Sequence, residues 1–102
     1  MFYVNKKKIV PLELYSLLDY EALAYWIMGD GAKTGNGMVL QTQSFTVKEC
    51  VFIISVLMHK FDLKCSLYDQ RGLPTIYIHS VSMRKIRNKL IPYFPISMQY
   101  KL

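Results

Sequence analysis

Between residues 20 and 29 the chain reads YEALAYWIMG. Apolar side chains at nearly every position suit a helix buried on most sides, not a surface helix with one apolar stripe. Asp19 stands where an N-cap belongs, and Glu21 falls in the first turn, where the helix dipole favours negative charge. Gly31 is the expected stop, because glycine accepts the left-handed conformation common just past a helix end. Thr34-Gly35-Asn36-Gly37 is a turn signal between a stub of strand and a strand over residues 38 to 44. Thr46-Val47-Lys48-Glu49 has the spacing of a capping box. It opens a second helix, rich in Val, Ile, Leu and Phe, that runs to about residue 60.

Beyond that helix the period drops to two. Leu63, Cys65 and Leu67 alternate with Lys64, Ser66 and Tyr68. After a turn at Gln70-Arg71-Gly72, Ile76 and Ile78 alternate with Thr75, Tyr77 and His79. Ser80 or Ser82 is the expected cap of a third helix, with Met83, Ile86 and Leu90 inward and Arg84, Lys85, Arg87 and Lys89 in water. Pro92 and Pro95 end it. Ahead of Asp19 lie a basic stretch, Pro11 and a short amphipathic piece over residues 12 to 18. The pattern thus divides the chain into a linker-like lead-in, 1–18, and one domain, 19–102. The expected fold is α+β: αββαββα, with one antiparallel sheet and the helices on one face. The open sheet face, carrying Lys64, Ser66, Tyr68, Thr75, Tyr77 and His79, either meets solvent or lies along a nucleic-acid groove.

A chain of 102 residues makes one compact domain, and 52% apolar content argues for a folded one. No apolar run approaches the ~20 residues that a membrane span needs. Lys6-Lys7-Lys8 is followed by a proline-broken segment, not by the apolar core of a signal peptide. Cys50 and Cys65 have no CxxC or histidine spacing and read as buried thiols of a reducing compartment. Thirteen Lys and Arg against seven Asp and Glu leave a net charge of +6. That excess is either a solvated basic surface or the footprint of a polyanion partner.

Acidic groups are scarce, which isolates Gly29-Asp30-Gly31 at the end of the first helix. Unsatisfied carbonyls there carry partial negative charge, so an added carboxylate needs a cap, solvent or a cation. With no side chain on either neighbour, an ion could reach both the carboxylate and a backbone carbonyl. That is an oxygen site of the Mg²⁺ kind; the alternative is an ordinary solvated turn residue.

LAYWIMGDG, residues 23 to 31, resembles the LAGLIDADG motif at Leu23, Ala24, Ile27, Asp30 and Gly31. VLQTQSFT, PTIYI and PYFPISMQYKL follow in the order seen in LAGLIDADG homing endonucleases of organellar group I introns. With NKKKIVP near the start, the resemblance covers nearly the whole chain. It implies two αββαββα halves, joined or dimerised, whose motif helices pack side by side. Each half lays a saddle-like sheet into the DNA major groove, and divalent metal, Mg²⁺ (or Mn²⁺), serves two staggered strand cuts.

By position in that resemblance, Asp30 and the Gly29 carbonyl are metal ligands. Gln43 is similar to a glutamine that orders water, and Lys101 to a lysine that activates water or offsets phosphate charge. Leu23, Ala24 and Ile27 fall to the helix–helix interface, while Tyr25 and Trp26 read as plain core. Lys33, Gln41, Thr42 and Arg71 join the sheet-face residues as expected nucleic-acid contacts. Only one motif is present, so the chain resembles a C-terminal half standing alone. The expected partners are double-stranded DNA and a second copy or a separately encoded N-terminal half, with no membrane, in a mitochondrion or other organelle. The alternative is an RNA-binding protein: an intron maturase, or a catalytically silent part of an organellar ribonucleoprotein such as a ribosome.

Overall fold

A computed structural model describes the backbone of Phe2–Val4 and Lys7–Ile9 and all of residues 13–102. Those first two segments, β1 (Phe2–Val4) and β2 (Lys7–Ile9), pair antiparallel, where the sequence suggests only a basic lead-in. Lys6 and Pro11 of that lead-in lie outside the described residues. After α1 (Leu14–Leu17), Leu14 and Leu18 are fully buried in the core that the rest of the chain builds.

The expected order of elements then follows. In α2 (Tyr20–Asp30) the Asp19 side chain accepts the Ala22 N–H at 2.8 Å, closing the N-terminus as its position suggests. β3 (Gly31–Thr34) and β4 (Gly37–Leu40) form a hairpin whose two-residue loop has φ of 61° at Gly35, a conformation glycine adopts without strain. α3 (Val47–Phe61) opens with a complete capping box between Thr46 and Glu49. β5 (Cys65–Gln70) and β6 (Leu73–Ile78) are joined by Arg71-Gly72, both at positive φ, the pattern of a type I′ turn. α4 (Ser80–Leu90) and two 3₁₀ turns, Ile91–Tyr93 and Ile96–Lys101, complete the described chain.

The strands run β3-β4-β6-β5 in one antiparallel sheet. α3 lies under β5 and β6, α4 under β4, and α2 against α4 and β3, so the helices cover one face. Between the layers sit Leu23, Ile27, Met38, Leu40, Ile53, Leu57, Ile76, Ile78, Met83 and Leu90, all buried. The α+β architecture is therefore the expected one. No helix among the described residues is long and apolar enough to cross a membrane.

Local details differ from the expectations. Gly31 does cap α2, but with φ −87° and ψ 146° it is extended, not left-handed. Its lack of a side chain is a matter of space: a Cβ there would lie 2.7 Å from the Ile27 carbonyl oxygen and 2.9 Å from Met38 Sδ. β4 stops at Leu40, not residue 44, because its pairing with β6 ends at Leu40 opposite Ile76. The chain then turns away, the Phe45 N–H donating to the Thr42 carbonyl.

The cap of α4 also falls elsewhere. His79 holds the N-cap position without its side chain capping the helix, and Ser80 is already helical. Ser82 is buried, and its hydroxyl accepts the Lys64 N–H at 2.7 Å, pinning the entry to β5 onto α4. A second tie crosses the same junction. Asp62, left-handed at the C-cap of α3 (φ 56°), pairs with Lys85 of α4, and that ammonium holds its carboxyl below the usual range.

Removing Ser82 leaves a part-buried N–H without its partner. Ser82→Ala should therefore lower stability in urea denaturation by roughly 1–3 kcal/mol, while Ser80→Ala should stay within about 0.5 kcal/mol. Equal effects from the two would refute the pinning role. Burial also governs the thiols: it raises Cys50 and pushes Cys65 up to about 12. Only the thiolate is nucleophilic, so both should resist a disulfide reagent at pH 8 in the folded protein and react in urea. Prompt native labelling of Cys65 would contradict this.

Candidate metal and nucleic-acid site

The C-terminal end of α2 gathers most of the catalytic candidates. Asp30, its last residue, is partly buried, and its carbonyl accepts the Gln41 N–H at 2.9 Å where β4 has ended. Gly29 is exposed, and a Cβ there would meet nothing within 4 Å, so the helix end is open beside the carboxylate. Lys101 reaches in from the last 3₁₀ turn and donates to the Met28 carbonyl at 2.6 Å. A cation thus rests on a free helix-end carbonyl, where the dipole favours it. Gln43 stands at the turn after β4; its amide donates to Gln41 Oε1 at 2.6 Å and lies 3.4 Å from Gln70 Oε1. Asp30, Gln41, Gln43 and Lys101 are therefore bound into one neighbourhood, although 73 residues separate Lys101 from Met28. Gln70 belongs to it as well; nothing in the sequence marks that residue, because only the hairpin register carries it there.

What this end could hold follows from its donors. Among the described residues no three His, Cys, Asp or Glu side chains cluster as a metal site. Mg²⁺ keeps several waters and takes only one or two carboxylates. One carboxylate beside an exposed glycine fits part of such a site, the rest being left to water, phosphate or a second carboxylate.

The outward sheet face forms a second cluster. Register sets Tyr77 opposite Val39 on one side and Ser66 on the other. Its ring meets Tyr68 edge-on at 5.9 Å between centroids and His79 at 4.9 Å. Ser66 Oγ and His79 Nε2 are 2.7 Å apart. Lys64, Tyr68 and Arg71 are exposed, with Arg71 at the hairpin tip; Ser66, Tyr77, His79 and Gln41 are partly so. These seven give the side away from the helices a polar and aromatic surface.

Three expected contacts are not on it. Thr42 continues the inward parity of Met38 and Leu40; it is fully buried and donates to the Pro74 carbonyl at 3.1 Å. Thr75 has outward parity but is 4% exposed, its hydroxyl spent on the Tyr68 carbonyl. Lys33 pairs with buried Met38 and so shares the helix-side face, exposed only because β3 is an edge strand.

The interface residues need correction too. Leu23, Ala24 and Ile27 are wholly buried on the side of α2 that meets α4 and β3, so they cannot also face a partner. The helix instead turns outward Glu21, Tyr25 and Gly29, at i, i+4 and i+8. Tyr25, expected in the core, is 58% exposed, whereas Trp26 is buried as expected. A helix apolar on every side gives no periodicity from which to phase it, and this is why the sequence misassigned the two faces.

The chain matches the model of the LAGLIDADG DNA endonuclease family over residues 1–86. It is 42% identical to intron-encoded endonuclease ai4 of Dictyostelium discoideum, all of this chain aligning with 66% of that protein. It is 36% identical to cytochrome b mRNA maturase bI2 of Debaryomyces hansenii, aligning 99% of this chain with 39% of that one. In three dimensions it is similar to the homing endonuclease I-WcaI bound to its DNA recognition sequence. The TM-score is 0.86 at 37% identity, over 99% of this chain and 48% of that chain. The chain therefore spans less than two thirds of the length of these relatives.

The Lys101 contact is directly testable. Lys101→Met removes a charge-assisted bond from a helix C-terminus and should cost roughly 1 kcal/mol in thermal or urea unfolding. Unchanged stability would show that the ammonium does not secure the helix end.

Proposed function

The chain belongs to the LAGLIDADG DNA endonuclease family, and from that premise we propose that it is half of a site-specific double-strand DNA endonuclease. It acts with a second copy or with a separately encoded N-terminal half, in an organelle whose intron encodes it. The observation that carries this reading is the end of α2: Asp30 beside the open Gly29, with Lys101 on the neighbouring Met28 carbonyl. A half-site with one carboxylate needs a second half to complete it. The outward side of α2, at Glu21, Tyr25 and Gly29, is the surface on which a second motif helix would pack.

In the assembled site the Asp30 carboxylate and the Gly29 carbonyl would hold Mg²⁺ or Mn²⁺. Such an ion supplies Lewis-acid stabilisation of the attacking and leaving oxygens of a phosphodiester. The rest falls to this chain's own side chains. Gln43, fixed through its amide nitrogen to Gln41, has an amide oxygen suited to accepting a hydrogen bond from the attacking water and so orienting it. Lys101 brings an ammonium to the same place and offsets charge that develops on the phosphate. Lys64, Ser66, Tyr68, Tyr77 and His79 position the duplex, backbone contacts setting its place and base edges its register.

A second reading has support from the maturase relative. In it the same basic sheet holds intron or ribosomal RNA, and Asp30 is idle.

Asp30→Asn separates the two. With Mg²⁺, a partner half and a DNA site selected by the wild type, the substitution should slow cutting by roughly a hundred-fold or more while binding survives. Wild-type binding should weaken with salt on a log–log slope of several units. Metal-dependent cutting that ignores Asp30→Asn would overturn the site. Tight RNA binding, with no cutting of any DNA, would establish the second reading.

A further inference from the structure

The hairpin residue Gly37 has an unusual neighbour. It does not share the positive φ of Gly35 and Gly72, so nothing in its own backbone requires glycine. The requirement comes from Tyr77. A Cβ at position 37 would lie 2.3 Å from Tyr77 Oη and 2.6 Å from both Cε1 and Cζ. The ring therefore lies down along the sheet, its hydroxyl end resting on the bare Cα at the start of β4. Tyr77 stands opposite Val39, two residues further along, so it leans diagonally across the strand pair to reach Gly37.

Its two aromatic neighbours limit sideways escape. Tyr68 meets the ring edge-on from β5, and His79 does so from just past the end of β6, itself fastened to Ser66 Oγ at 2.7 Å. A side chain at position 37 cannot push the phenol far within the sheet plane. The remaining direction is up, away from the sheet and into the space where a duplex would lie.

We infer that Gly37 is a positioning residue for base recognition: it lets Tyr77 lie flat, and the flat ring sets which base pair fits over the start of β4. A flat ring leaves room for the edge of a base pair and presents a phenol hydroxyl, both donor and acceptor, at a fixed place. A raised ring fills that room. Gly37 never touches the nucleic acid, so its effect passes entirely through Tyr77. The inference rests on the reading of the sheet as the DNA-binding face.

The test uses the full chain and a randomised duplex library. The sequence enriched by the wild type is remade as a panel of duplexes, each with one base pair changed. Gly37→Ala should lose affinity on the order of tenfold, confined to one or two adjacent base-pair positions. The salt slope should not change, because phosphate contacts are untouched. In a Tyr77→Ala background the same substitution should do nothing more, since the ring it displaces is gone. In the free protein, contacts by nuclear Overhauser effect between the Gly37 α-protons and the Tyr77 ring should be present in the wild type and absent in Gly37→Ala.

A loss spread evenly over all positions, or an equal loss without the Tyr77 ring, overturns the inference and leaves the sheet-face reading standing. A wild type that enriches no sequence overturns both. Should Gly37→Ala not fold, the double variant decides. If it folds with the base profile of Tyr77→Ala the inference holds, and if it does not fold the inference fails.

Discussion

At the C-terminus of α2 the last carbonyls of a helix and the carboxylate of Asp30 bring like charge together, in a place also packed tightly enough to exclude a methyl group at Gly31. A helix end of this kind is tenable only if the excess negative charge is met. Lys101 meets part of it at the Met28 carbonyl, and the Gln41 N–H takes the carbonyl of Asp30 itself. The helix end is open to the outside at Gly29. The same feature that strains the helix end electrostatically is what makes it attractive to a cation. Sheet, helix and C-terminal turn all converge there, so the arrangement of the whole chain is bound up with that one concentration of charge.

The sheet face is held in shape by polar groups that never reach its surface. Thr42 ties the exit of β4 to the Pro74 carbonyl, Thr75 ties β6 to the Tyr68 carbonyl, and Ser82 ties α4 to the Lys64 N–H. Each is buried, so each bond would be costly to leave unmade. They fix the relation of three strands and a helix, and with it the spacing of Tyr68, Tyr77 and His79 outside.

Much of this was legible in the sequence where a local rule sufficed. Asp19 and the Thr46–Glu49 pair mark helix starts because capping is a matter of three or four residues. The two hairpin loops are legible for the same reason, since two residues must carry the turn. Asp30 stands out in the sequence by its flanking glycines and the scarcity of acids, Gln43 and Lys101 only through resemblance, and the structure draws the three into one neighbourhood. What escaped depended on distant partners. The length of β4 is set by where β6 stops pairing, the side of Lys33 by hairpin register, and the task of Ser82 by a strand 18 residues away. Thr42 and Thr75 look like surface residues by type, and only the packed sheet shows that their hydroxyls are already used.

The reach from Lys101 to Met28 has a kinetic meaning as well. Closing a loop of 73 residues forfeits far more chain entropy than closing either hairpin, and a single surface-reaching side chain returns little for it. Such a contact is made once the sheet and helices have already brought the two ends of the loop together. The charged helix end therefore depends on the scaffold far more than the scaffold depends on it: the sheet and helices can stand without this contact, but the contact cannot form without them.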